Sequence, residues 1–324
     1  MKLRSLGERE LVSSIRKEFS AKRRDLVLGI GDDAAVVRGA EGLCLLTTDL
    51  LIEDVHFIAS LHPPRYLGRK SLNVNLSDIA AMGGRPKFAL LGLALRKGLA
   101  NAWVRAFFGG LKAAAEEAGV ALIGGDISAA KRTVISIAVI GEAGTFIRRS
   151  GARPGDLIFV SGHLGDAAAG LRLLRRGYRL GKDRKADSLL RAFLDPVPQL
   201  ALGQALSRFR AASSMIDTSD GLSVDLLHLC EESGMGAEIA LDRLPLSPAI
   251  RALEKSPGRL ALHGGEDYQL LFTSSPGKLA QIRALQKKFV FHGIGRMTRR
   301  KGIFIVDRNG KKRLLKAGGY EHSL

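Results

Sequence analysis

A chain of 324 residues with 46% hydrophobic content is long enough to bury a sizeable core, and at roughly 150 residues per unit it sets an expectation of two domains. The formal net charge of +18 raises nucleic-acid binding, but the densest basic runs (Lys22 to Arg24, Arg175 to Lys185, Arg299 to Lys301, Lys311 to Arg313) are not interleaved with aromatics, which form 6% of the chain. Solvated faces and attraction of small anionic substrates account for such charge, so no specific nucleic-acid partner is expected; no apolar run nears the ~20 residues of a membrane span and residues 1–10 lack an apolar leader, so the chain reads as soluble and cytoplasmic.

Apolar and β-branched runs alternate with longer helix-like stretches, the pattern of an α/β protein. In chain order, strands are predicted at Leu26–Ile30 and Leu43–Thr47, then a helix from Pro63-Pro64 to Met82 stopped by Gly83-Gly84. A strand at Phe88–Leu95, a helix at Ala102–Ala118 closed by Gly119, and strands at Val120–Ile123 and Thr133–Ile140 follow. The polar segment RRSGARPGD at 148–156 marks the domain boundary, dividing the chain into 1–148 and 149–324. Beyond it the expectations are a strand at Leu157–Val160, a helix at Gly165–Arg176, a mobile surface loop over Arg175–Asp187, a strand at Met215–Asp217, a helix at Leu222–Glu232, and strands at Tyr268–Thr273 and Gly302–Val306. Cys44 and Cys230, each alone in an apolar stretch, read as buried reduced thiols.

Carboxylates stand at the ends of apolar runs beside glycines: Gly31-Asp32-Asp33, Thr47-Thr48-Asp49, Gly124-Gly125-Asp126, Asp217-Thr218-Ser219-Asp220-Gly221 and Gly264-Gly265-Glu266-Asp267. One Gly-Asp pair is ordinarily a turn. Adjacent Asp32 and Asp33 repel each other unless a cation or an Arg joins them. Ser219 or Asp220 suits an N-cap for the helix near Leu222, a role compatible with metal binding. Ser71, Asn75 and Asp78 fall on one strip of the helix to Met82, and their short side chains suggest a wet, confined surface. With no competing Cys or His cluster, this donor set points to a hard cation, Mg²⁺, around phosphates, hence to phosphoryl transfer. No Walker GxxxxGK[ST], no GxGxxG in a βαβ unit and no HRD or DFG set is present.

The segments GIGDDAAV (29–36), TTDLLIEDVHF (47–57), NVNLSDIAAMGGRP (73–86), LIGGD (122–126), RRSGARPGD (148–156), MIDTSDGLSVDLLHLC (215–230) and GGEDYQLLF (264–272), in that order over nearly the whole chain, resemble the thiamine-monophosphate kinase family. The resemblance implies the two-domain PurM-like fold shared with aminoimidazole-ribonucleotide synthetase, selenophosphate synthetase and the hydrogenase-maturation dehydratase, with N-terminal halves pairing into a homodimer. The implied activity is ATP-dependent phosphorylation of thiamine monophosphate to thiamine diphosphate, the last step of that synthesis, by direct in-line transfer assisted by several Mg²⁺ ions. The chain lacks the N-terminal reactive Cys of a selenophosphate synthetase and the C-terminal Cys of the dehydratase.

Matched residue by residue, the resemblance makes Asp32, Asp33, Thr47, Thr48, Asp49, Asp78, Asp126, Asp217 and Asp220 metal-binding positions, with Asp49, Asp78 and Asp217 carrying the chemistry. Gly125, Asp126, Arg149, Ser219 and Phe108 fall at ATP-binding positions, and His56, Glu266 and Tyr320 at substrate-binding ones. Where the family pattern carries a Tyr, this chain has Phe107-Phe108-Gly109, so a hydroxyl contact to ATP is lost while stacking remains open.

Overall fold

Two separate β-sheets divide the chain on either side of the polar segment at 148–156 in the computed structural model, which describes residues 8–19, 23–39, 42–307 and 309–319. The first sheet has the order β1-β2-β3-β6-β4-β5, made of β1 (Leu26–Leu28), β2 (Ala35–Gly39), β3 (Gly42–Ile52), β4 (Arg85–Arg96), β5 (Ala121–Ala130) and β6 (Val134–Ala143). Its one parallel pair, β4 with β5, is joined by α3 (Asn101–Ala118); the other neighbours run antiparallel. The helix α1 (Glu8–Glu18) precedes it and α2 (Pro64–Ala81) connects β3 to β4.

The second sheet has the order β13-β12-β9-β11-β7-β10-β8, from β7 (Leu157–Ser161), β8 (Ser214–Asp217), β9 (Gly236–Ala240), β10 (Leu270–Ser274), β11 (Phe291–Thr298), β12 (Gly302–Val306) and β13 (Lys312–Leu314). Its helices are α4 (Asp166–Arg175), α5 (Arg184–Leu194), α6 (Leu200–Arg208), α7 (Leu222–Ser233), α8 (Pro248–Leu253), α9 (Pro257–His263) and α10 (Leu279–Gln286). The architecture is therefore mixed α and β with mostly antiparallel sheets. Among the described residues no helix is long and apolar enough to cross a membrane.

The predicted helix ending at Met82 is present as α2, with Pro64 at its first position and Met82 as its C-cap. The expected loop over Arg175–Asp187 is shorter: α5 starts at Arg184, and the Asp183 carboxylate accepts from the Lys185 and Ala186 amides, so an ordinary N-cap ends the loop. The sequence reading passed over β2, β9, β11 and β13. In β11 the apolar run is broken by Gly293 and Gly295, and at Gly295 the neighbouring strand leaves no room for more: a Cβ there would lie 2.0 Å from the Glu238 carbonyl oxygen.

Packing explains why α2 is buried on every side although it is not uniformly apolar. Leu67, Leu72, Leu76, Ile79 and Met82 fill the core under the first sheet, while Ala80 and Ala81 join a second cluster with Leu202, Leu206, Phe159, Phe272 and Phe291. Glycines let the neighbours approach. A Cβ on Gly110 of α3 would sit 1.8 Å from the Arg65 carbonyl oxygen, one on Gly68 2.0 Å from that of Phe107, and one on Gly203 of α6 2.1 Å from that of Ala80. Gly110→Ala is expected to lower stability by about 2 kcal/mol or more, because forced separation of α2 and α3 outweighs the ~1 kcal/mol that Ala gains in helix propensity. Urea unfolding with an unchanged m-value is the measurement, and a stabilised Gly110→Ala would contradict this packing.

Candidate active site

Three polar side chains of α2 fix two acidic segments. Asn75 Oδ1 accepts from the Asp49 amide at 2.9 Å, and Asn75 Nδ2 donates to the Ser71 carbonyl at 3.0 Å, so the helix holds the middle of β3. Asp78 accepts at Oδ2 from Thr47 Oγ1 at 2.6 Å. Ser77 Oγ donates at 2.6 Å to Oδ2 of Asp217, the last residue of β8 in the second sheet. Of the polar strip Ser71, Asn75, Asp78, the last two bond to β3, while Ser71 Oγ donates at 2.6 Å to the Leu67 carbonyl within α2; Ser77 reaches the other sheet.

These anchors bring oxygens of Asp33, Asp78 and Asp217 within 4.8 Å of one another, the one such group among the described residues. Burial, then the charges of Asp49, Asp217 and Asp33, push the Asp78 carboxyl well above the usual range. Burial and Asp33 raise Asp217 to about 8 against the hydrogen bond from Ser77 and the charge of Arg149. Asp49 is raised to about 6 by burial and by Asp220, and Asp32 to about 6 by burial and by Asp33. Arg149 partly offsets this density: its Nε and Nη2 bond both Asp33 oxygens at 3.2 and 2.9 Å, and its amide donates to Asp32 Oδ1 at 3.0 Å. Burial would lower the guanidinium pKa, but Asp33, Asp217 and Asp32 raise it above its ordinary value. An all-oxygen set of crowded carboxylates, without His or Cys, fits a hard divalent cation.

The other expected residues divide by face. Asp49 and Asp126 stand in the middle of long strands, not at strand ends as expected, and of the strand-borne acids Asp217 alone terminates one. Thr47 and Asp49 point toward α2, whereas Thr48, between them, is exposed on the opposite face and donates to the Ile137 carbonyl at 3.1 Å. Gly125 and Asp126 lie on the exposed edge strand β5, outside the carboxylate group; a Cβ on Gly125 would meet the Leu91 carbonyl oxygen at 1.9 Å. Phe108, on α3, packs edge-on against Phe107 beside the first core. His56 Nδ1 accepts from the Ile52 amide at 3.0 Å in the turn after β3. Ser219 accepts from the Glu266 amide at 2.7 Å through its carbonyl, and Asp220 is half-buried, its charge felt by Asp49 and Asp225. Neither residue caps α7: the cap is Gly221, whose amide donates to Asp225 Oδ2 at 2.9 Å. Glu266 Oε1 is ion-paired with Lys70 Nζ at 3.1 Å. Tyr320 lies outside the described residues.

Sequence reasoning missed four residues here. Ser77 and Asp225 differ from the chosen residues only by position on their helices, and Lys70 reads as an ordinary solvated lysine. Tyr268 lies in the GGEDYQLLF segment; its φ is 47°, and burial, then the charges of Glu266, Asp49, Asp217 and Asp78, push its phenol well above the ordinary value.

Residues 31–143 match the family model described as AIR synthase related protein, N-terminal domain, and 153–308 match the corresponding C-terminal domain. The chain is 37% identical to the thiamine-monophosphate kinase of Aquifex aeolicus (strain VF5) over 326 residues, 99% of this chain and 100% of that one. It is 38% identical to that of Escherichia coli (strain K12) over 322 residues, 98% of each. Among solved structures it is similar to AaThiL complexed with AMPPCP and TMP, with TM-score 0.88 and 37% identity over 99% of both chains. The hydrogenase maturation protein HypE of E. coli shares the fold, with TM-score 0.73 at 23% identity over 95% of this chain and 96% of that one.

The raised carboxyls give a pH prediction. Between the unfolded value near 4 and the folded values of about 6 to 8 the native state binds more protons than the unfolded chain, so stability of the metal-free protein falls as pH rises through that window. Thermal unfolding in EDTA should give a lower Tm at pH 8 than at pH 5.5, and millimolar Mg²⁺ should raise Tm more at pH 8. A cation effect independent of pH would count against a site built from these carboxyls.

Proposed function

The chain belongs to the thiamine-monophosphate kinase family, and on that footing we propose that its acidic cluster carries Mg²⁺ ions for direct transfer of the γ-phosphoryl group of ATP to the phosphate of thiamine monophosphate, giving thiamine diphosphate. The observation that carries this reading is the convergence within 4.8 Å of Asp33 from the loop before β2, Asp78 from α2 and Asp217 from β8.

An acceptor phosphate with a second pKa of about 6 is already largely ionised at pH 7, so the chain needs no general base and the barrier is mainly electrostatic. Two unit charges 4 Å apart repel by ~4 kcal/mol at an effective dielectric constant of ~20. Bound Mg²⁺ supplies the neutralising charge between the two anions. Asp32, Asp33, Asp49, Asp78 and Asp217 hold the ions, with Thr47, Thr48, Asp126 and Asp220 as further oxygen donors. Thr47 and Ser77 orient Asp78 and Asp217, and Asn75 fixes the Asp49 backbone. Gly125, Arg149, Ser219 and Phe108 serve ATP; His56, Glu266 and Tyr320 serve the acceptor. No side chain becomes phosphorylated.

The protein acts as a homodimer through the outward face of its first sheet. Leu46, Leu50, Phe88 and Leu90 are exposed there, and Leu122, Ile123 and Ile127 line the edge strand, an apolar surface that a second copy would cover together with Thr48 and Asp126. The domain boundary falls between 148 and 149, and the two free cysteines suit work in the cytoplasm.

Purified protein with ATP, Mg²⁺ and thiamine monophosphate should yield thiamine diphosphate and ADP in equal amounts. Asp78→Asn should lower kcat at least about a hundredfold, whereas His56→Ala should act chiefly on the acceptor KM; equally small effects of both substitutions would sink the assignment. Light scattering should give about twice the chain mass of 34.8 kDa, and the doubly substituted Leu50→Glu, Leu90→Glu protein should run as a monomer.

A further inference from the structure

Lys70 is 0% exposed, a lysine inside the protein on a helix of the first domain. Its ammonium donates to the Phe193 carbonyl at 3.1 Å, stands 4.0 Å from the centroid of the Phe193 ring, and pairs with Glu266 Oε1 at 3.1 Å. Phe193 lies in the last turn of α5, where the carbonyls have no partner within the helix, so Lys70 also satisfies a helix end. His62 beside it bonds the next carbonyl, that of Leu194, at 3.3 Å and is pushed down to about 3 by burial and by the charge of Lys70. Imidazole therefore stays neutral there, and Glu266 is the carboxylate that balances the buried ammonium.

The geometry of Glu266 is built in the same way. Its φ of 68° is a left-handed value that a glutamate adopts only where the surroundings impose it, and its amide is tied to the Ser219 carbonyl at 2.7 Å. Oε1 is committed to Lys70, and Oε2 enters none of the described hydrogen bonds, in a side chain that is 27% exposed. We infer that Lys70 is a positioning residue for the acceptor: held by Phe193, it fixes the Glu266 carboxylate across the domain boundary through one oxygen so that the other is presented to the substrate. The inference rests on the reading of Glu266 as a contact to thiamine monophosphate. It makes the end of α5, remote in sequence from every acidic segment, part of what sets acceptor binding.

Steady-state kinetics with each substrate varied in turn tests it. Lys70→Met should raise KM for thiamine monophosphate about tenfold and leave KM for ATP within about twofold, a split that a general loss of packing does not produce. In a double-mutant cycle Lys70→Met should add little once Glu266→Gln is present, because Lys70 acts through that carboxylate. Phe193→Leu, which keeps the carbonyl and removes the ring, should shift the same KM in the same direction by a smaller factor, and it serves where Lys70→Met folds poorly. An unchanged acceptor KM in Lys70→Met or Phe193→Leu beside a raised one in Glu266→Gln, or independent effects of Lys70 and Glu266, would overturn the proposal alone. An unchanged acceptor KM in Glu266→Gln would remove the premise that Glu266 meets the acceptor, and the proposal with it.

Discussion

Carboxylates buried side by side cannot all be ionised unless positive charge is brought among them, and the rest of this structure is arranged around that constraint. Asp33, Asp78 and Asp217 are close enough to share one cation, and among the described residues a single guanidinium, that of Arg149, is bonded to the cluster. Relieving the repulsion by moving the acids apart is closed off, because each is bonded to its neighbours through short hydrogen bonds from Thr47, Ser77 or Arg149. What remains is proton uptake or cation binding.

A single helix sets that arrangement. α2 carries the partners for β3 and for β8 within about one turn, at Asn75, Ser77 and Asp78, and its other faces are closed by α3 and α6 at glycine-backbone contacts. A shift of α2 large enough to loosen one contact would disturb Asn75, Ser77 and Asp78 together. Because Lys70 lies on the same helix, Glu266 and the acid cluster share one rigid support.

Much of this was legible in the sequence, and the limits have physical causes. The glycine-flanked carboxylates, the α2 boundaries and the polar strip on it stand out because short acidic and amide side chains among apolar residues have few uses other than a confined site. Legibility failed where the outcome depends on contacts between segments. A lysine at a helix position reads as solvent-facing until α5 is seen to bury it, and β11 reads as broken until Glu238 is seen to require Gly295. Alternation along β3 would have told that Thr48 faces away from Thr47 and Asp49, but which face meets α2 is decided by the helix, not by the strand. For Asp126, on the edge strand away from the cluster, no pattern in the chain alone indicates what stands opposite it.

The basic composition and the acidic site are two sides of one distribution. The formal charge of +18 counts every aspartate as ionised, yet burial and the charge of Asp33 raise Asp217 to about 8, so the metal-free protein near neutrality is more positive than that count. The acids Asp33, Asp217 and Asp225 are drawn inward, while most of the described lysines and arginines stay at the surface. A field of that sign favours the approach of anions from solution. Excess surface cations therefore serve a site whose own residues are negative: attraction acts at long range where the charge is exposed, and selectivity at short range where it is buried.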